Sequence, residues 1–472
     1  MESIWTILVW GNGLVLGFLI IQSGINLAQL GLAFLEVRHH THRAARTDPW
    51  WLLTSEVALP ISMLVPAHNE AETIVENIRS MLALHYPDFE VIVVNDGSTD
   101  NTMQVIIDGL GLAPIERVWH EEVPHGEVRG IYGSKEYPRL IVVDKVNGGK
   151  ADALNAGINL SRYPLFCAVD ADSLLDHDSL LGAMRPFIEE PEEMIAVGGR
   201  LCVVNGCKVR AGQVVEYRLP KQLFPLLQGI EYIRAFLIAR SAWSRLNAML
   251  IISGAFGLFK RSATVKVGGY SHDTVGEDME IVVKLHRNYI ENNIPYQMRF
   301  VPDSVCWTQT PQSYSVLARQ RTRWQRGMLQ TIWKHRSMLL NPGYGRIGVL
   351  GMGYFFLMDV IGPIIEFVGY FVVPVTWYAD RVSTEFFIAY AALTITYGIF
   401  ISTGSLLLEM LISRTVRARD IAMMTLCAVV ENFGYRQWNN WWRVEGFWHF
   451  LTGRKEWGKM TRTQFRKSNP EE

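Results

Sequence analysis

Apolar residues collect at the two ends of this chain, and that arrangement limits its possible folds more than any single motif does. Residues 4–36, IWTILVWGNGLVLGFLIIQSGINLAQLGLAFLE, run well past the roughly 20 residues that cross a bilayer as a helix. A secretory leader fits poorly, because the run is too long and no basic residue precedes it. VRHHTHRAAR follows, with Arg38, Arg43 and Arg46, whereas only Glu2 stands on the other side. The positive-inside rule then puts the amino terminus outside and residue 40 onward in the cytoplasm.

Two further apolar stretches, 347–378 and 384–413, lie toward the other end. The first contains Asp359 and Glu366, the second Glu409. Charges at such depth normally face a helix bundle or a polar path, so a lined passage is expected. SRTVRARD comes next, basic and therefore cytoplasmic. Residues 420–452 admit two readings, a short hairpin through the membrane or helices along its surface. RQWNNWWRVEGFW has the tryptophan content of an interface belt. Five spans are expected, with three as the fallback, and either choice keeps the basic tail inside. The expected organisation is a transmembrane helix over 1–37, a basic cytoplasmic linker over 38–54 and a cytoplasmic domain with interface helices over 55–340. Transmembrane and interface helices over 341–452 and a cytoplasmic basic tail over 453–472 complete it. The expected location is the inner (plasma) membrane, crossed several times.

Composition agrees. Of 472 residues 49% are hydrophobic and 15 are tryptophan, more than a soluble enzyme of this length usually carries. A formal net charge of -1 and the lack of a suitable basic run speak against nucleic-acid binding. Five cysteines, odd in number and without a CxxC pair, support neither zinc nor disulfides.

Within the middle segment, ISMLV, EVIVV, RLIVV and PLFCAV are short runs of the kind found in buried parallel strands. Helical stretches such as EAETIVENIRSMLAL and GKADALNAGINL alternate with them. The alternation predicts a doubly wound α/β sheet, in which ligands bind beyond the carboxyl ends of the strands. PAHNE, NDGSTD and DADS fall at those ends. If the strand continues through CAVDADS, Asp170 and Asp172 share one face while Ala171 turns to the other. Two such carboxylates suit a cation shared with substrate phosphates, although a strand end spilling polar residues into a loop is an equal reading of that stretch alone.

The chain lacks GxGxxG after the first strand, and GGKAD lacks phosphate-loop spacing, which speaks against a plain dehydrogenase or ATPase. NGGK still allows a tight turn that presents Lys150 at a helix start, unless it is only a surface lysine. TVGEDMEIVVKLHR sets Glu277 and Asp278 at the front of a helix with Met279, Val282, Val283 and Leu285 on its apolar side. A helix amino end favours ionised carboxylates, and such acids often serve only as caps. In RQRTRWQRG, Gln320, Arg323 and Trp324 share a helix face, which suits a diphosphate and a flat sugar ring. Arg319, Arg321 and Arg326 on the other faces are expected to meet lipid headgroups. Leu223, Leu226, Leu227, Ile230, Ile233 and Leu237 form an apolar stripe, either core or membrane-facing.

In these motifs the chain resembles the family 2 processive membrane glycosyltransferases, which make cellulose, hyaluronan, chitin and poly-N-acetylglucosamine. The likeness covers about residues 58–330 and rests on four signatures in order: VVNDGSTD, DADS, VGEDME and QRTRW. It implies a Rossmann-like (GT-A) cytoplasmic domain inserted between transmembrane helices. It also implies that Asp96 holds the uracil ring, with Pro66, Glu70 and Lys150 nearby. Asp170 would contact the nucleotide-sugar and share with Asp172 an Mg2+ or Mn2+ ion. Asp278 would be the catalytic base with Glu277 beside it, Gln320 and Arg323 would secure the diphosphate, and Trp324 would stack on the acceptor. Ser253 and Gly254 in IISGAF would border the acceptor, where the cellulose synthases carry a cysteine instead. No copy of the cellulose synthases' gating loop follows Trp324.

The implied reaction is metal-dependent, inverting transfer of glucose or N-acetylglucosamine from a UDP-sugar to the non-reducing end of a β-linked exopolysaccharide, coupled to export. The alternative is a non-processive glycolipid synthase, similar to ceramide glucosyltransferases, with a lipid acceptor. The partners implied are the donor, the acceptor and the bilayer. A small membrane subunit or a second copy would join them, since the spans are few for a polymer channel.

Overall fold

The four β-branched runs become strands because their side chains can be covered on both faces of a sheet. In the computed structural model, which describes residues 2–44, 49–54, 57–412 and 417–453, they are β1 (Ile61–Ala67), β2 (Phe89–Asp96), β5 (Leu140–Lys145) and β6 (Leu165–Ala168). The remaining strands are β3 (Leu112–Pro114), β4 (Val128–Ser134), β7 (Leu174–Leu175), β8 (Met194–Val203), β9 (Lys208–Arg210), β10 (Gln213–Glu216), β11 (Gly257–Lys260) and β12 (Gln297–Thr308). Ten of them form one sheet in the order β3-β4-β5-β2-β1-β6-β11-β8-β12-β7, and β9 pairs with β10 in a hairpin.

The expected parallel sheet is present as its centre. β5, β2, β1 and β6 run parallel, with Ile61 opposite Phe89 and Leu165, and Val91 opposite Leu140. Outside that centre the sheet is mixed. β11 runs antiparallel to both β6 and β8, and β4 antiparallel to β5. Helix Lys150–Leu160 is buried from Ala151 to Leu160, as a crossover helix lying under other structure must be.

Residues 39–220 and 249–310 make one compact unit, which holds the sheet. Residues up to 38, 221–248 and the described chain from 311 onward make another. Among the described residues three helices are long and apolar enough to cross a membrane: Glu2–Arg43, Ile347–Tyr378 and Thr384–Ile412. Three candidates is the number of the fallback reading rather than the expected five. Helices Ala418–Val430 and Tyr435–Leu451 have 13 and 17 residues, and a rise of about 1.5 Å per residue leaves both short of a hydrocarbon core of about 30 Å. The expectations for 45–48, 55–56, 413–416 and the tail from 454 fall outside the described residues.

The apolar stripe continues as a rod of α-helix (Leu223–Tyr232), π-helix (Ile233–Ala239) and α-helix (Arg240–Arg245). Leu237 and Ile238 pack with Ala33 and Val37 of the first helix and with Ile401 and Leu408 of the third candidate span. That part of the stripe is core, while Leu223 stays exposed. Two of the three carboxylates expected to line a passage, Asp359 and Glu366, are matched instead by the tryptophan-rich helix Tyr435–Leu451. Asp359 meets Arg443 at 2.6 Å, and Glu366 meets Arg436 at 3.1 Å and Asn440 at 2.7 Å.

Candidate active site

The register of β2 against β5 sets Asp96 directly beside Lys145 at the carboxyl end of the parallel strands. Lys145 donates to Asp96 Oδ1 at 2.8 Å and pairs with Asp152, fully enclosed between the two. Asp152 in turn accepts from the Gly126 amide, at 3.1 and 2.9 Å. Asp96 also accepts from the amides of Gly148 at 2.9 Å and Gly149 at 2.7 Å. These bonds close the NGGK turn, whose Gly149 has φ +90°, a conformation that side-chain-bearing residues avoid. The turn delivers Lys150 to the start of its helix, as expected. Lys145 was missed by motif reasoning; a lysine closing a buried strand, seven residues before an aspartate, was the available signal.

PAHNE folds onto NDGSTD. Asn69 Oδ1 accepts from the amides of Thr99 at 2.8 Å and Asp100 at 3.2 Å, and the His68 ring contacts the Asp96 carbonyl at 2.9 Å. Pro66 lies in β1 opposite Val94, and Glu70 is buried with its amide on Thr102 Oγ1 at 2.8 Å.

The DADS aspartates come together by a different route from strand alternation. β6 ends at Ala168, and Asp170 to Ser173 form a turn closed by the Ser173 amide on the Asp170 carbonyl at 3.0 Å. Asn77 clamps it by donating to the Ala171 carbonyl at 2.6 Å. Burial, then the neighbouring Asp170 charge, pushes the Asp172 carboxyl up to about 7; its own amide and Lys150 pull the other way.

Lys150 is the hub. Its ammonium donates to Asp170 at 2.5 Å and to the Gly254 carbonyl at 3.3 Å, and lies 3.8 Å from Glu277. Burial pulls its pKa down, but Asp170, Glu277 and Asp278 outweigh that and hold it above the ordinary lysine range. Gly254 admits the arrangement, since a Cβ there would lie 2.8 Å from the ammonium and 3.4 Å from Asp278 Cβ. Its amide donates to Asp278 Oδ2 at 3.3 Å, and Asp278 Oδ1 takes the Met279 amide at 2.9 Å. Ser253 opens the adjoining turn, its carbonyl accepting from the Phe256 amide at 3.1 Å. Glu277 and Asp278 begin helix Glu277–Glu291, whose Met279, Val282, Val283 and Leu285 are buried as the pattern predicts.

Gln320, Arg323 and Trp324 lie in the other unit, on helix Tyr314–Lys334. Trp324 is 44% exposed, and the buried Gln320 Oε1 has no hydrogen-bond donor. Arg321 and Arg326 are buried, correcting the expectation that they meet headgroups; Arg321 pairs with Glu231 at 2.7 Å. Arg319 is exposed. No group of three or more His, Cys, Asp or Glu side chains is placed to hold a metal among the described residues. A magnesium held mainly by substrate phosphates needs only one or two carboxylates, a number that the DADS turn could provide in Asp170 and Asp172.

Residues 59–327 match the model of the glycosyltransferase-like family 2. The chain belongs to that family. As a family 2 glycosyltransferase it is 30% identical over 277 residues to a poly-β-1,6-N-acetyl-D-glucosamine synthase of Staphylococcus epidermidis, covering 58% of this chain and 56% of the relative. It is 31% identical over 268 residues to the synthase of the same name from Staphylococcus aureus, covering 57% and 54%. The match thus spans little more than half of these relatives. Among solved structures, a mannosyltransferase of Pyrobaculum calidifontis in complex with GDP-Man and Mn2+ aligns with a TM-score of 0.48 and 18% identity, over 92% of this chain and 99% of that one.

Proposed function

We propose that this glycosyltransferase transfers N-acetylglucosamine from UDP-N-acetylglucosamine to the non-reducing end of a growing β-linked exopolysaccharide, with inversion at the sugar carbon. The Lys150 hub carries the reading: one ammonium joins the DADS turn to the start of the Asp278 helix. The names of the two staphylococcal relatives favour this sugar over glucose and a polymer over a glycolipid.

Asp278 takes the proton of the attacking acceptor hydroxyl, with Glu277 beside it, as an ionised carboxylate within hydrogen-bond reach can. Asp96 keeps one place for the uracil imide: three donors occupy three of its roughly four lone-pair sites. Pro66, Glu70 and Lys150 complete the nucleotide side. Gln320 and Arg323 bind the departing diphosphate, Trp324 stacks on the acceptor ring, and Ser253 and Gly254 border it. Asp170 and Asp172 would hold Mg2+ or Mn2+, a cation on the DADS turn offsetting the repulsion between the two carboxylates. When bound, the ion neutralises charge on the diphosphate.

The catalytic unit lies on the cytoplasmic side of the plasma membrane, and the three candidate spans take part in export with a partner subunit or a second copy. A donor screen with the purified protein in detergent tests the reading, with UDP release and product mass read together. UDP-N-acetylglucosamine should give polymer that EDTA abolishes. Turnover of UDP-glucose alone would overturn the sugar, and a single sugar on lipid would overturn the polymer.

A further inference from the structure

Arg321 sits inside the QRTRW motif and is buried. It is 3% exposed, and its guanidinium carbon lies 4.4 Å from the ring centroid of Trp324, one turn along the same helix. The guanidinium donates to Glu231 Oε2 at 2.7 Å. The same oxygen accepts from the buried Tyr435 hydroxyl at 2.9 Å. Glu231 comes from helix Leu223–Tyr232 and Tyr435 opens helix Tyr435–Leu451, so three helices of one unit meet at this guanidinium.

An enclosed arginine is costly unless paired, and Glu231 supplies the counter-charge while Tyr435 fixes the carboxylate's orientation. The cation lies over one face of the Trp324 indole, while the residue as a whole stays 44% exposed. An indole free to swing would have to be immobilised each time a sugar docked, at a cost in side-chain entropy. A guanidinium can lie flat on the ring and hold it; an ammonium cannot.

We propose that Glu231 and Tyr435, acting through Arg321, are positioning residues for Trp324, fixing its indole so that one face is presented to the acceptor sugar. This rests on the reading of Trp324 as the acceptor platform. The device sets acceptor affinity and leaves donor binding alone.

The test uses the purified full chain with UDP-N-acetylglucosamine and a short β-1,6-linked N-acetylglucosamine oligomer as acceptor. Tyr435→Phe, Glu231→Gln and Arg321→Lys are each made alone and combined with Trp324→Ala. Each single change should raise the KM for the oligomer by about 3- to 10-fold, the worth of immobilising one side chain, with the donor KM unchanged. None should raise it further in the Trp324→Ala background. Equal rises in donor and acceptor KM, or the same rise with Trp324 already absent, would mean a merely structural role and overturn the proposal. Trp324→Ala with an unchanged acceptor KM would remove the platform and the proposal together. Trp324→Ala with a raised acceptor KM and Tyr435→Phe without one would defeat the positioning alone. Tyr435→Phe keeps the ion pair, so it carries the test should Glu231→Gln fail to fold.

Discussion

Lys145 and Asp96 face each other at 2.8 Å across neighbouring parallel strands, with the lysine wholly shut off from water. Two carboxylates, Asp96 and Asp152, depend on that one ammonium. Lys145→Met should therefore destabilise the folded protein by about 3–5 kcal/mol, the usual consequence of stranding a buried charge. Thermal unfolding of the purified protein reads this directly, and a loss below about 1 kcal/mol would mean the carboxylates find other partners.

Asp278→Asn should abolish sugar transfer while leaving UDP binding within a few-fold of wild type. The change removes a base yet keeps side-chain size and the ability to accept from the Gly254 amide. A variant keeping a tenth of its activity would assign the proton to another group.

Asp172 makes stability depend on pH in a stated direction. Its carboxyl titrates near 3.8 ordinarily and is raised to about 7 in the fold. The native state therefore binds the extra proton between those values, and stability falls as pH rises through about 7. Asp172→Asn should flatten that slope and abolish transfer. Mg2+ should raise the melting temperature of the wild type above pH 7 and leave the variant unmoved. Identical melting profiles for the two proteins, with and without Mg2+, would count against the DADS turn as the cation site.

Trp324→Ala should cost about 1–3 kcal/mol of acceptor binding, by analogy with stacking of other flat rings on aromatic side chains. UDP release to water should persist while polymer shortens, because water needs no platform. Polymer of unchanged length per folded enzyme would make Trp324 an interface anchor instead.

The parallel centre of the sheet was legible because β1, β2, β5 and β6 are continuous apolar runs ending in polar clusters. β8 and β12 were not: Gly198 and Gly199 interrupt one, Pro302 and Asp303 the other, and only pairing across the sheet makes them strands. Asp278 and Trp324 could be picked out because helical spacing is local. The inward turn of Arg321 could not, since its partner Glu231 is 90 residues away, and for Lys145 only the short spacing to Asp152 was legible, not the contact with Asp96 across 49 residues. Residues 420–452 were ambiguous for a related reason. Their tryptophans suit a membrane surface, and the arginines among them serve carboxylates in a distant segment.

That pairing has a consequence for how the protein is made. Glu366 leaves the ribosome 70 residues before Arg436, and Asp359 leaves 84 residues before Arg443. Throughout that interval an apolar segment carries two carboxylates without their cations. The segment can settle only provisionally, with its acids protonated or in contact with water, until the tryptophan-rich helix is synthesised. Release of a nascent chain before residue 436 should leave a product that is degraded or held by chaperones, although the catalytic motifs have all been translated by then. Helix Tyr435–Leu451 thus completes the pairing of an apolar segment translated well before it.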